Sequence, residues 1–219
     1  MIPARRRVLR GLALAVAAAA LPAPIPHAGP AGLLTLAIDP ARSALGFTIS
    51  RPGETIEGRV HAFSGQVTVD PEHPGSGASV ILRVEAASLE TGNRIRDRKM
   101  RNSHLDVDRF PAILFRSSSV EVSREAADDP EVAGAEPGPL IPGQRRRALL
   151  KGVLSLHGVD REILFPAAIR YDNGTLTAEG DLSLRLTDHA IPLPRFLWIV
   201  LDDEVKVHFR FLAAPRLDS

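Results

Sequence analysis

The chain has 219 residues, with 27 basic against 26 acidic side chains, no cysteine and 5% aromatics. That length is enough to bury a core in one domain, and a single all-β domain of this size is ordinary. Without cysteine there are no disulfides, no thiolate zinc site and no thiol nucleophile, so the compartment has to be read from the N-terminus.

Residues 1–28 read as an export signal that stands outside the folded domain. Arg5, Arg6, Arg7 and Arg10 form its charged segment, and Gly11 to Leu21 form an apolar run too short to span a bilayer comfortably. The paired arginines and the Ala-rich, moderately hydrophobic run favour the twin-arginine route over the general secretory one. Cleavage fits after Ala20, Ala23 or Ala28; a retained N-terminal anchor is the alternative. Removal takes away four of the 27 basic residues and none of the 26 acidic ones, leaving a formal charge of −3. The slightly basic balance of the full chain belongs to the signal and gives no support to a nucleic-acid partner.

From Leu33 onward, strands alternate with turns. Leu33 to Asp39 is the first. In the second, Leu45, Phe47 and Ile49 alternate with Gly46, Thr48 and Ser50, and Pro52-Gly53 supplies a turn. Ile56 to Phe63 continues as one strand with Ile56, Gly58, Val60 and Ala62 on one face. Val67 and Val69 lead into the Pro- and Gly-rich turn Asp70 to Gly77. Ser79 to Ala86 then places Val80, Leu82, Val84 and Ala86 on a common side.

Leu89 to Ser117 sets a dense basic segment, Arg94, Arg96, Arg98, Lys99 and Arg101, between two strands. A short helical connection is expected near residues 93–104. Asp97 and Arg101 stand i,i+4 with the acid first, the favourable order for a helical ion pair; Arg94, Arg98 and Arg101 fall on one face if helical. Ile95, Met100 and Leu105 share no helical face, so this is no ordinary core helix. His104 to Asp108 reads as a polar turn capping the segment.

Ile113 to Val122 is again extended. Residues 123–144 carry Asp128, Asp129, Glu131 and Glu136 with four prolines, too polar to order themselves, and are expected to be a flexible surface insertion. Arg145, Arg146 and Arg147 read as the solvated start of a strand, with anion binding as the alternative. Beyond them Leu150, Gly152, Leu154 and Leu156 alternate, as do Ile163, Phe165, Ala167, Ile169 and Tyr171. Asp172-Asn173-Gly174 supplies a hairpin turn, Leu176 to Leu186 follows, and Val205, Val207, Phe209 and Phe211 close the set. Leu193 to Leu201, with Phe196, Leu197, Trp198 and Ile199 in a row, reads as a hydrophobic connection folded onto one end of the domain, or else as a flap or membrane-touching loop.

About eight antiparallel strands with hairpin turns and no long amphipathic helix favour an all-β barrel or sandwich. A barrel of that size is either filled by its own side chains or holds one small ligand. Gly58, Ala62, Gly152, Ala167, Ala178 and Gly180 on inward faces leave volume for a cavity, although the glycines could instead relieve strand curvature. None of the seven histidines has metal-ligand spacing. Ser64-Gly65 lacks the first glycine of a nucleophile elbow, and there is no Gly-rich phosphate loop.

Four groups of residues share one further pattern: Ile38-Asp39 with Ser43, Phe47 and Ile49; Val60, Phe63, Gly65, Val67 and Asp70; Arg96-Asp97 followed by Leu105, Asp106, Phe110, Pro111, Ile113, Phe115 and Ser117; and Gly152 to Val159 with Arg161. In these the chain from Leu36 to Leu212 resembles the YceI-like family of lipid- and polyisoprenoid-binding proteins. The resemblance implies a lipocalin-like antiparallel β-barrel over residues 33–213, exported to the periplasm. It also implies a hydrophobic tunnel for a polyprenyl chain or another long-chain lipid, with no cofactor and no catalysis.

Two functional readings follow. The first is a carrier or store for an isoprenoid or acyl lipid, monomeric or homodimeric and in transient contact with a membrane. Its ligand chain would lie among Phe47, Phe63, Val84, Phe115, Leu154, Phe165, Leu182, Leu184 and Trp198, and an anionic head would meet Arg94, Arg98 or Arg101. The second is an isomerase or hydrolase acting on a lipid through His104 or His157, which no nucleophile, metal or phosphate motif accompanies.

Overall fold

A computed structural model of the chain describes residues 32–126, 138–193, 195–196 and 199–216. The expected signal at 1–28, residues 127–137 of the expected insertion, and Trp198 lie outside the described residues. Strand β1 (Leu34–Ile38) continues into β2 (Ala44–Arg51) across a 3-10 turn at Pro40–Arg42, where the Asp39 carboxylate accepts the Ala41 N–H at 2.9 Å. β3 (Glu54–Val60) and β4 (Phe63–Val69) return as the hairpin partner of that bent strand, and β5 (Ser79–Glu85) with β6 (Leu89–Glu90) makes a third. Then come β7 (Ala112–Ala126), β8 (Arg145–Leu156), β9 (Val159–Asp172) and β10 (Thr175–Arg185). A two-residue hairpin, β11 (Arg195–Phe196) with β12 (Ile199–Val200), precedes β13 (Glu204–Pro215).

β13 closes the sheet on itself. One edge pairs with β10 from Leu176↔Ala213 to Arg185↔Glu204. The other edge takes β2, from Ile49↔Val205 to Ala44↔Arg210, and then β1, from Ile38↔Ala213 to Leu36↔Pro215. Counting each bent strand once, the ring is an eight-stranded antiparallel barrel, and the extra strands are the far halves of the bends.

The expected single strand from Ile56 to Phe63 breaks at His61 and Ala62. There the His61 N–H donates to the Ser88 carbonyl at 3.3 Å, and the Ala62 carbonyl accepts the Glu85 N–H at 3.0 Å. The break shifts the alternation by one residue, so Phe63 rather than Ala62 is buried. Phe63 opens a chain of ring contacts inside the barrel: Phe63 to Phe211 at 5.7 Å, Phe211 to Phe209 at 5.3 Å, Phe209 to Phe165 at 5.9 Å and Phe165 to Phe115 at 5.4 Å. The inward glycines do not stand empty, as the sequence suggested. The Phe47 ring occupies the space a side chain would need at its cross-strand partner Gly58. A Cβ at Gly152 would lie 2.7 Å from the Phe115 ring, and one at Gly180 would lie 2.9 Å from the Phe209 ring.

The ladder between β9 and β10 runs only from Thr175↔Asp172 to Glu179↔Ala168. Pro166 is the cause. Its carbonyl faces Gly180 on β10, so its nitrogen, which carries no hydrogen, faces β10 as well and offers no bond. Toward the other end of the barrel the two strands are bridged by the 3-10 turn Thr187–His189 instead. Arg161 Nε donates to the Asp188 carbonyl at 2.7 Å, His157 Nδ1 to the His189 carbonyl at 3.2 Å, and His189 Nδ1 to the Val159 carbonyl at 3.2 Å.

At the ends of the expected insertion, β7 extends through Ala126, and in the described return at 138–144 Leu140 is buried, with its N–H donating to the Pro71 carbonyl at 2.7 Å. One correction concerns the arginines that follow. Arg146, expected in solvent, is only 2% exposed, because period-2 alternation turns it inward between exposed Arg145 and Arg147. Its guanidinium donates to the Ser123 carbonyl at 2.9 Å, the Pro139 carbonyl at 2.8 Å and Gln144 Oε1 at 3.1 Å. These contacts close one end of the barrel.

The hairpin turns His157-Gly158 and Asn173-Gly174 both take left-handed backbone, with φ of 53° and 74° in the first and 47° and 76° in the second. Gly174→Ala should destabilise by about 1 kcal/mol through backbone strain alone. Gly158→Ala should cost more, since its Cβ would lie 2.5 Å from Phe110 Cε1; equal urea midpoints for the two variants would contradict that packing. Burial holds the His189 pKa below the ordinary histidine value, opposed by its bond to the Val159 carbonyl. Between that lowered value and the unfolded value of about 6.5 the unfolded chain binds more protons, so stability is lost as pH falls through this window. The unfolding midpoint should drop between pH 7.5 and 5, with a shallower slope in His189→Gln.

Candidate functional site

The barrel encloses a cavity of about 640 Å³, within the range of small-molecule sites. It is lined along each strand by the inward members of the alternating pairs. Seven of the residues expected around a ligand chain, Phe47, Val84, Phe115, Leu154, Phe165, Leu182 and Leu184, face it. Phe63 does not; its ring is packed against Phe211. Trp198 lies outside the described residues. The lining also includes Val205, Val207 and Phe209, whose alternation marks them as inward, and Met100, Leu105 and Ile191, which no periodicity in the sequence signals.

The two ends of the cavity differ. At one end Val69, Pro74, Leu176 and Ala213 are buried. The exposed residues of the lining are Asn93, Ile95, Lys99 and Arg185, and all of them sit at the other end, under helix α1 (Arg94–Lys99). Ile95 is 84% exposed and still lines the cavity. An apolar side chain that belongs both to the lumen and to the solvent marks the mouth.

Helix α1 is short and owes its position to a polar knot rather than to an apolar face. Asn93 caps it, accepting the Ile95 and Arg96 N–H groups at 3.1 Å each. Asp97, 6% exposed, accepts the Thr91 N–H at 2.8 Å and the Thr91 hydroxyl at 2.6 Å. Arg96 returns from above: Nε donates to Thr91 Oγ1 at 2.7 Å, Nη2 to the Thr91 carbonyl at 3.1 Å, and Nη1 stands 3.9 Å from Glu54. The adjacent Arg96-Asp97 thus fastens the helix to the strand before it.

The i,i+4 pair expected between Asp97 and Arg101 does not form. After Lys99 the chain widens into a π-helical turn, Met100–His104, closed by the Leu105 N–H on the Met100 carbonyl at 2.8 Å. The wider turn rotates Arg101 off the face of Arg94 and Arg98, and its guanidinium donates to the Leu89 carbonyl at 3.2 and 3.1 Å. Arg94 and Arg98 are exposed, and none of the three expected head-group arginines lines the cavity. The cations that do are Arg51, Arg96, Lys99 and Arg185, and among the described residues no aspartate or glutamate lines it.

The two histidines considered for chemistry separate. His157 is not part of the lining; its ring packs on Phe110 with centroids 4.6 Å apart. His104 lines the cavity, donates from Nδ1 to the Pro192 carbonyl at 3.0 Å, and keeps Nε2 buried without a hydrogen-bond partner. Burial holds its pKa below the usual histidine value, with Lys99 adding to the effect and the Pro192 carbonyl opposing it. The site therefore offers a long apolar lumen, a cationic mouth and one unused acceptor.

No curated protein matches the chain in sequence. Among solved structures it is similar to BcnA of Burkholderia cenocepacia, with a TM-score of 0.65 at 19% identity over 81% of this chain and 99% of that one. A polyisoprenoid binding domain of Saccharophagus degradans superposes with a TM-score of 0.61 at 15% identity, covering 83% of this chain and 98% of that one. The YceI protein of Campylobacter jejuni gives 0.54 at 14% identity, covering 75% and 87%. At these identities the likenesses show the fold. The model of the YceI-like domain matches residues 36–213, which takes in every strand from β2 to β12 and most of β1 and β13, and the chain belongs to the YceI-like family.

Proposed function

We propose that this protein binds one long-chain lipid, an isoprenoid or an acyl chain, inside its barrel and serves in the periplasm as the carrier or store of that lipid. The observation that carries the reading is the cavity of about 640 Å³, closed at one end and open at the other. Apolar walls remove a lipid chain from water at about 25 cal/mol per Å² of buried apolar surface, without requiring any single specific contact. A dead-end lumen with one mouth suits an amphiphile, whose head stays hydrated while its tail is withdrawn. The polyisoprenoid binding of the Saccharophagus domain supports an isoprenoid as one candidate chain. The export signal read at residues 1–28 supports the compartment. Exchange of the lipid with a membrane would take place at the mouth, beside exposed Ile95.

Binding rather than catalysis is the better reading of the histidines. Among the described residues His104 has no carboxylate beside it in the lining to set up acid and base work, and His157 is committed to the Phe110 ring and the His189 carbonyl.

Native mass spectrometry of protein purified from its own periplasm should show one lipid of fixed mass per barrel. An empty protein that chemically converts added lipids would contradict the carrier reading. Filling the lumen gives a second check: Ala178→Trp, on the inward face of β10, should reduce bound lipid more than tenfold while the far-ultraviolet spectrum of the barrel persists.

A further inference from the structure

Charge in the lining is one-sided. The whole chain carries nearly equal numbers of acids and bases, 26 and 27, yet among the described residues the cavity wall holds Arg51, Arg96, Lys99 and Arg185 and no carboxylate. These four do not scatter along the lumen. Arg51 ends β2 and Arg185 ends β10, both at the mouth, while Arg96 and Lys99 belong to the helix across it. Charged residues would not be gathered at the rim of an apolar tunnel to help hold a tail, because each loses hydration when a ligand seats over it.

The carboxylates that flank this end stand outside the lining: Glu54 pairs with Arg51 and approaches Arg96, Asp97 accepts from Thr91, Asp203 accepts the Thr187 hydroxyl at 2.6 Å and its N–H at 2.9 Å and feels the charge of Arg185, and Glu204, opposite Arg185 on β13, accepts the Ser183 hydroxyl at 2.7 Å. Thr91, Asn93 and His104 supply further polar atoms to the same end of the lining. The opposite end is lined by uncharged residues, among them Thr68 and Ser79 as its polar members.

We infer that the mouth is a seat for an anionic oxygen head group, a carboxylate or a phosphate monoester, on a single-chain amphiphile whose tail fills the barrel. Its cations are Arg51, Arg96, Lys99 and Arg185, in place of the Arg94, Arg98 and Arg101 that the sequence suggested. The Arg96 guanidinium is fixed at the mouth by its Nε and Nη2 bonds to Thr91. Arginine and lysine at a partly wet rim attract an oxyanion without having to give up all their water. This assignment rests on the lipid-binding reading, and it adds a requirement for charge that a tail-only site would not show.

The test compares two matched pairs of ligands at pH 8 by displacement of a fluorescent apolar probe: geranylgeranyl phosphate against geranylgeraniol, and palmitic acid against hexadecanol. The anionic member of at least one pair should bind more than tenfold tighter than its alcohol. That ratio should fall toward unity in the double variant Lys99→Gln, Arg185→Gln and on raising salt from 0.05 to 0.5 M. The pair that shows the larger ratio identifies the source of the head, phosphate or carboxylate. Equal affinity for acid and alcohol in both pairs would overturn the head-group seat and leave the barrel a lipid binder. Binding of none of the four ligands would overturn both.

Discussion

The fold depends on β13 finding partners along its whole length on both edges. A sheet that bends round to meet itself has no free outer edge, so backbone donors and acceptors are bonded within the wall along most of the ring, the stretch of β9 and β10 beyond Pro166 excepted. That frees the interior away from the mouth to be lined almost wholly by apolar side chains. β13 manages this because one of its edges takes two strands in succession, β2 and then β1, across the kink at Pro40–Arg42. The matching break at His61 and Ala62 lets the hairpin partner follow the same bend, and it is what sends Phe63 inward.

A closed eight-stranded ring is narrow, and five phenylalanines in mutual contact occupy part of it. Space survives toward the mouth because the wall there is not uniformly zipped. Pro166 ends the β9–β10 ladder, and the Thr187–His189 turn bridges the strands in its place. The opposite end is shut by Leu140 and by Arg146, whose charge is distributed over the carbonyls of Ser123 and Pro139. One end is therefore sealed by buried polar bonding and the other is left to a six-residue helix fastened mainly through Thr91. The asymmetry of the cavity follows from these two closures.

Electrostatics repeats the asymmetry. An apolar lumen disfavours any isolated charge placed inside it, so the cations of the lining collect where water still reaches them. His104 stands at the boundary: its ring is buried enough to disfavour protonation, and its Nε2 has no partner in the protein. In the lipid complex proposed above, the part of the ligand beyond this boundary is apolar and its polar head stays among Arg51, Arg96, Lys99 and Arg185.

Strand identity and inward faces were legible in the sequence wherever alternation runs unbroken, as in Leu150 to Leu156, Ile163 to Tyr171 and Val205 to Phe211, because period 2 is a property of each strand alone. Most of the apolar lining followed from those patterns, which left a barrel or a sandwich open; the barrel and the family came from the resemblance carried by the residues around Arg96-Asp97 and Gly152 to Val159. Tertiary structure decided the rest. The phase of the alternation after Ala62 depends on bonds to Ser88 and Glu85 made across the sheet, the burial of Arg146 on carbonyls from a distant return of the chain, and the space over Gly58, Gly152 and Gly180 on rings from neighbouring strands. The choice of cations at the mouth belongs to the same class. Helical spacing alone groups Arg94, Arg98 and Arg101, but the π-helical turn breaks that phase, and the barrel ends bring Arg51 and Arg185 from other strands. Local periodicity determines which way a side chain points from its own strand; only closure of the ring determines what it meets there.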